Sequence, residues 1–392
     1  MSKPHAVLIA PPWYPVPPSG YGGIELVVDL LAEGLQARGW RVTLLAAEGS
    51  HHRARVLAPQ AWRHDLGGRQ ERMRELHYAA RVAEQLRSIA DADVVHDHAG
   101  FGTLVAACLT AAAPVVHTVH GALAQEDAQR GLLAELGDAV SLVAISAQQR
   151  SSAPELHWTG CVHNAVDTES HVVVPRSEKQ GYLLCLARIC EDKGQHMAID
   201  VAERADMPLV LAGKVERNAA ARDYFERLVR PRLGEKVRHI PNVAGRAKSD
   251  LLARATALLA PAQWDEPFGL SVAEAMVSGT PAISTPRGAA PELIEVGLTG
   301  YLAEDVDAMV EAVARSGDID PHACAEAARR RFGPDAMVDG YVGVYEKVLA
   351  ATQVAGSSIQ GGSPRTTASS PPEVAVKEKS DVPSVVRQAR TE

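Results

Sequence analysis

Short runs of β-branched and aliphatic residues, each followed by an amphipathic stretch, recur through almost the whole chain, and this rhythm narrows the fold sharply. Residues 5–10, 41–46, 93–98, 115–120 and 141–146 predict strands, with a helix over 24–38 and further helical stretches between them. The pattern breaks at 168–181, a polar segment holding Pro175 and Gly181, and then restarts. Strands follow at 182–188, 208–212, 237–240, 257–260 and 281–285, alternating with helices at 194–204, 221–233 and 248–255. Strands that are apolar on both sides, separated by helices, imply parallel sheets covered on both faces, the doubly wound α/β pattern. A chain of 392 residues is too long for one ordinary core. The expected division is residues 1–167, a connection over 168–181, a second α/β domain over 182–351, and a tail over 352–392. The second domain ends in a helix over 334–351. The tail is rich in Ser, Thr, Pro, Gly and Gln, which predicts disorder.

Charge and cysteine usage remove several classes of function. The net charge of −8 argues against a nucleic-acid binder. No apolar stretch approaches the ~20 residues that span a bilayer, so no stable membrane insertion is expected. Five scattered cysteines without a C-x-x-C pair suit a reducing compartment rather than a disulfide framework or a zinc site. With no secretion signal visible, the cytoplasm is the expected location. Residues 51–90 carry eight arginines against four acidic residues. Such a stretch can make peripheral contact with a lipid surface or an anionic acceptor, although a solvated face explains it as well.

The chemistry concentrates between Trp264 and Glu274, in the sequence WDEPFGLSVAE. Pro267-Phe268-Gly269-Leu270 is a turn into a helix, whose free N–H groups and positive dipole end seat phosphate. Glu266 precedes that helix and Glu274 lies in its first turns, two carboxylates suited to accept hydroxyls from two polyols. Arg188 and Lys193 follow a strand and open a helix, where they can flank a diphosphate. Gly22 and Gly23 lie between the first strand and first helix and let backbone amides crowd a ligand. They do not form G-x-G-x-x-G, so a dinucleotide fingerprint is not met. His120 ends a strand in the same half, while His117 is expected to pack within it. Ser146 suits a helix cap, and Asn164 and Asp167 suit a hinge.

The segment from Trp264 to Glu274, with Gly279-Thr280-Pro281 and Arg287-Gly288-Ala289-Ala290-Pro291-Glu292 beyond it, resembles the E-x7-E signature of family-4 retaining glycosyltransferases. The resemblance is strong over about forty contiguous residues and weaker from residue 5 to about 350. It implies the GT-B fold, two Rossmann-like domains with parallel sheets facing across a cleft. It also implies that Glu266 contacts the transferred hexose and Glu274 the ribose, with the amides of Phe268, Gly269 and Leu270 along the sugar and diphosphate. Arg188 and Lys193 would stabilise the departing phosphates, as in the family's G-R-x4-K-G element, here with Ala187 in place of the glycine. Gly22 and Gly23 would close over the diphosphate, and His120 would line the sugar pocket.

The implied activity is hexose transfer from a nucleotide-sugar to a hydroxyl acceptor with retention of configuration. UDP-glucose is favoured and GDP-mannose is the alternative; the acceptor is a small molecule or a glycan. No cofactor and no metal are expected. His96-Asp97-His98 with His117 and His120 invite a zinc site, but a histidine-rich strand end beside a polar cleft explains them without a metal. Competing expectations are a silent sugar-nucleotide-binding protein and a GT-B disaccharide synthase or epimerase. Oligomeric state has no signature in the sequence.

Overall fold

The computed structural model describes residues 3–58, 68–123 and 128–360. Among them, thirteen strands form two parallel sheets. The first holds β1 (His5–Ile9), β2 (Arg41–Leu45), β3 (Arg55–Leu57), β4 (Val94–Asp97), β5 (Val115–Val119), β6 (Ser141–Ala144) and β7 (Trp158–Cys161). Its spatial order is β3-β2-β1-β4-β5-β6-β7. The second holds β8 (Leu183–Leu186), β9 (Leu209–Ala212), β10 (Val237–Ile240), β11 (Ala257–Ala260), β12 (Ala282–Ser284) and β13 (Gly300–Leu302), in the order β10-β9-β8-β11-β12-β13. The expected α/β class with two parallel sheets is therefore the observed one.

The continuous apolar character of the strands has a direct physical cause. Alternate residues of a strand point to opposite faces. In β1, Ala6 and Leu8 enter the core beneath the helix Gly23–Ala37, whereas Val7 and Ile9 enter the core with Tyr78, Val82 and Leu104 on the other side. Both faces are buried, so both sets must be apolar. The second sheet supports a core of its own, in which Leu183, Leu211, Leu258 and Ile283 meet Val272 and Met276.

The last helix, Pro334–Gln360, continues past the end expected at 351. Its apolar residues Met337, Val338, Tyr341, Tyr345 and Val348 join the core of the first lobe, packing with Leu31, Leu35 and Val116. Along the chain they follow the second domain; in space they complete the first. Residues 361–392 of the expected tail lie outside the described residues, as does Arg63 of the arginine-rich stretch. Among the described residues no helix is long and apolar enough to cross a membrane, and the five cysteines are free thiols.

Candidate active site

Each sheet reverses its strand order once, between β1 and β4 and between β8 and β11. At such a reversal the loops leaving the carboxyl ends diverge and open a crevice, the usual ligand position in doubly wound sheets. The chain places Arg188 and Lys193 just after β8, and Glu266, Phe268 and Gly269 just after β11. These residues, over seventy positions apart in sequence, therefore meet at one crevice.

Lys193 ends a 3-10 turn, Glu191–Lys193, and its ammonium pairs with Glu266 Oε2 while lying 5.0 Å from the centroid of the Trp264 ring. The Glu266 loop is fixed from the next connection: Gly288 N–H donates to Asp265 Oδ1 at 3.1 Å, and Ala289 N–H to the Glu266 carbonyl at 2.9 Å. Lys193, Glu266, Phe268, Gly269, Ser271 and Arg287 line one cavity. Gly269, at φ 98°, turns the backbone into the helix Leu270–Val277. That left-handed conformation strains any residue with a Cβ, and it lets the chain enter the helix directly over the cavity.

The other two charged residues are held by partners that sequence spacing did not reveal. Glu274 is 9% exposed and accepts from Lys248 Nζ at 2.7 Å. Arg188 Nη1 lies 2.6 Å from Glu216 Oε1, and its backbone carbonyl accepts from Gln195 Nε2 at 2.8 Å. Lys248 stands in the helix Gly245–Arg254 and Glu216 in the loop after β9, so neither shares a motif with its partner.

Across the crevice, Gly22 caps the helix Gly23–Ala37, and a Cβ built on Gly23 would lie 2.8 Å from Leu270 Cδ1. The glycine loop therefore touches the helix turn that follows Gly269. Beside it, Lys214 Nζ donates to the Tyr14 hydroxyl at 3.3 Å and sits 4.1 Å above the Tyr21 ring. On the opposite side, Glu292 of the second lobe accepts from Ala147 N–H at 2.9 Å and lies 3.5 Å from His163 Nε2. The two lobes are thus in contact through apolar, cation–π and charge-assisted hydrogen-bond interactions.

His120 follows β5 and belongs to a chain of hydrogen bonds. His120 Nε2 lies 2.9 Å from His98 Nδ1, and His98 Nε2 lies 3.2 Å from His96 Nδ1. Burial is the main cause that lowers the titration of all three, to about 3 for His120 and well below the ordinary range for His96 and His98, and nearby imidazoles add to it. All three are therefore neutral at neutral pH. His117 packs within β5, as expected, with Nδ1 2.7 Å from Asp97 Oδ2. Ser146 caps the helix Ala147–Ser152 by accepting from Gln149 N–H at 3.0 Å, and Asp167 accepts from Glu169 N–H at 3.1 Å in the turn that follows it.

The structure thus gathers Lys193, Glu266, Phe268 and Gly269 around one cavity, with Arg188 on the same switch point and Gly22 and Gly23 along the facing edge, against Leu270. Glu274 lies one helical turn further along. Among the described residues no hydrogen bond or ion pair joins His120 to the second lobe. Among the same residues, no group of three or more His, Cys, Asp or Glu side chains is arranged to hold a metal ion.

Similarity to known proteins follows the same division. Residues 21–170 match the model of Glycosyltransferase Family 4, and residues 166–331 match that of Glycosyl transferases group 1. AviGT4, a glycosyltransferase involved in Avilamycin A biosynthesis, is 26% identical with a TM-score of 0.66, over 88% of this chain and 98% of that one. Sucrose-phosphate synthase from Thermosynechococcus elongatus shares the fold at 19% identity, with a TM-score of 0.72 over 89% of this chain and 100% of that one. The lipopolysaccharide core biosynthesis mannosyltransferase LpsB of Rhizobium meliloti (strain 1021) is 26% identical over 199 residues, 46% of this chain and 56% of that protein. The chain spans about half the length of the curated relatives it matches. Its two halves are thus similar to family 4 and group 1 glycosyltransferase domains, and its fold is that of the GT-B glycosyltransferases.

Proposed function

We propose that this pair of domains transfers a hexose from a nucleotide-sugar to a hydroxyl acceptor, with retention of configuration and without a metal. The observation that carries the proposal is the meeting of Lys193 and Glu266 at a cavity floored by the turn Phe268-Gly269. A cation, a hydroxyl acceptor and a helix N-terminus converge there, which is the set of groups a sugar diphosphate requires. Lys193 and Arg188 would offset charge on the leaving diphosphate, aided by the N–H groups from Gly269 onward, in a crevice where fixed dipoles act more strongly than in water. Glu266 would hold the hexose and Glu274 the ribose hydroxyls. Gly22 and Gly23 would close over the diphosphate, and His120 would face the sugar.

Lys193 pairs with Glu266 and Lys248 with Glu274, so a donor that engages these groups would exchange partners with them. The diphosphate takes Lys193 from Glu266, and Glu266 then turns to sugar hydroxyls. For the chemical step, front-face displacement fits the residues best. The bond from the anomeric carbon to the donor phosphate breaks as the acceptor oxygen bonds to the same face, and the acceptor proton passes to the departing phosphate oxygen. Among the described residues that line this cavity Glu266 is the only carboxylate, which leaves no nucleophile–acid pair there of the kind retaining glycosidases use.

UDP-glucose is the donor to test first. The name of LpsB makes mannose, from GDP-mannose, the second. The role of AviGT4 in Avilamycin A biosynthesis supports a small-molecule acceptor alongside a glycan. Thermal-shift measurements with UDP, GDP, ADP and their sugars, followed by turnover with and without EDTA, test the proposal. Stabilisation by one nucleotide family and EDTA-resistant turnover are expected. Absence of stabilisation by every nucleotide overturns the donor assignment, and an inverted product anomer by NMR overturns the mechanism.

A further inference from the structure

The hydrogen-bond chain that begins at His120 does not stop at His96. His96 Nδ1 lies 2.7 Å from the hydroxyl of Tyr345, in the helix Pro334–Gln360, and His96 Nε2 lies 2.8 Å from Thr118 Oγ1. Thr118 Oγ1 in turn lies 3.0 Å from the Tyr341 hydroxyl. His96, Tyr341 and Tyr345 have no exposed surface, His98 has 3%, and His120 is the partly exposed end. The rings also approach one another at a tilt, with centroids 3.9 Å apart for His96 and His98 and 5.2 Å for His98 and His120.

A neutral imidazole has one N–H and one lone pair. Nδ1 of His96 faces two groups, the Tyr345 hydroxyl and His98 Nε2. If that nitrogen carried the proton, the buried Tyr345 O–H, whose partner is His96 Nδ1, would face a donor and have no acceptor. If it carries the lone pair, Tyr345 O–H and His98 Nε2–H both donate to it, and His96 Nε2–H donates to Thr118. The second arrangement shares one lone pair between two donors, but it leaves no buried donor of the chain without an acceptor. It makes His98 Nδ1 an acceptor, and so requires His120 to donate from Nε2, leaving the lone pair on His120 Nδ1. Reversing any one proton reverses the whole chain.

We propose that Tyr345 is a positioning residue: through His96 and His98 its hydroxyl fixes His120 in the Nε2–H tautomer, so that His120 Nδ1 offers a lone pair to a substrate hydroxyl. The last helix, which returns to the first lobe, thereby sets the chemistry of a residue at the cleft. The assignment of His120 to the sugar pocket rests on the function proposed above; the tautomer does not.

The test is the side-chain 15N spectrum of the full-length protein labelled at histidine, recorded without donor and compared with Tyr345→Phe and Tyr341→Phe. His120 is expected as the Nε2–H tautomer in the parent and in Tyr341→Phe, whose hydroxyl reaches only Thr118. In Tyr345→Phe, His120 is expected to shift to the Nδ1–H form or a mixture. A parent His120 in the Nδ1–H form, or identical spectra for the parent and Tyr345→Phe, overturns the proposal. So does an equal change in both phenylalanine variants, which would report packing alone. With a donor identified, Tyr345→Phe should lower kcat about tenfold with donor KM little changed. If the spectra behave as expected and no donor is turned over, the tautomer assignment stands and the glycosyltransferase proposal fails.

Discussion

Gly23 of the first lobe packs against Leu270 of the second so closely that a Cβ at position 23 would sit 2.8 Å from Leu270 Cδ1. The neighbouring Gly22 is constrained by its own lobe: its φ is 149°, and an added Cβ would lie 2.8 Å from Pro18 Cβ. The two glycines should therefore fail differently. Gly23→Ala can be relieved by rotation of the Leu270 side chain, which shifts the lobe contact rather than the fold. Gly22→Ala strains the backbone and crowds a proline ring, at a cost of about 1–3 kcal/mol. Gly22→Ala is expected to lower Tm measurably, while Gly23→Ala keeps Tm and raises donor KM. Equal losses of Tm in the two variants would show that the lobe contact has no separate role.

The pairing of Lys193 with Glu266 makes the lysine the sharper probe of the proposed leaving-group chemistry. Lys193→Ala removes the positive charge and should cut kcat by about 10²–10³, the usual loss for one preorganised electrostatic contact. Lys193→Arg keeps the charge and should recover only part of the loss, since a planar delocalised fork does not reproduce a compact ammonium. Single-turnover rates at saturating donor decide this. A Lys193→Ala enzyme with unchanged kcat would remove Lys193 from the chemical step.

Glu274 and Lys248 invite a different measurement. Glu274→Ala should raise donor KM about tenfold or more, because a carboxylate–diol contact of ~1.5–3 kcal/mol is lost, with kcat less affected. Glu266→Ala should act mainly on turnover or sugar choice. Isothermal titration with the free nucleoside diphosphate separates the two: binding weakened by Glu274→Ala and preserved by Glu266→Ala is expected. Equal losses of nucleotide affinity would refute the division of roles between the glutamates.

The inner strands were legible because they are buried on two faces, which forces runs such as HAVLI and LLCL. In contrast β3 and β7, short and partly exposed at the sheet edges, and the edge strand β13 carry no such run and were not read. The crevice was implied by the resemblance of residues 264–292 to a known family rather than by the rhythm, which does not fix the strand order that brings the loops together. Legibility ended where contacts depend on shape across the fold. Lys248 and Glu216 stand far from their partners in sequence and share no period with them. Residues 334–351 look, by order along the chain, like the close of the second domain, yet their apolar stripe fits the groove of the first lobe beside Leu31 and Leu35. The histidines were visible as a cluster, but only the β4–β5 register, pairing His96 with Val116 and Asp97 with His117, aligns them into a hydrogen-bonded chain.

Glu25 supplies the last prediction, on stability against pH. It lies in the first turn of the helix Gly23–Ala37 at 4% exposure, and burial raises its titration to about 7, partly offset by hydrogen bonds from its own N–H and that of Tyr14. In the unfolded chain it titrates near 4.5. Between these values the folded state binds the proton that the unfolded state has released, so this group favours folding at the acidic side of the window and loses that contribution as pH rises through about 7. Above pH 7 its ionised form is buried at a cost on the order of 1–3 kcal/mol. Glu25→Gln keeps shape and an acceptor oxygen without the charge. Its stability relative to the parent should therefore increase between pH 5 and pH 8, whatever the other buried groups contribute, because they titrate alike in both proteins. Urea melts at the two pH values measure the difference, and a pH-independent gap between parent and variant would show that Glu25 is not protonated near neutrality.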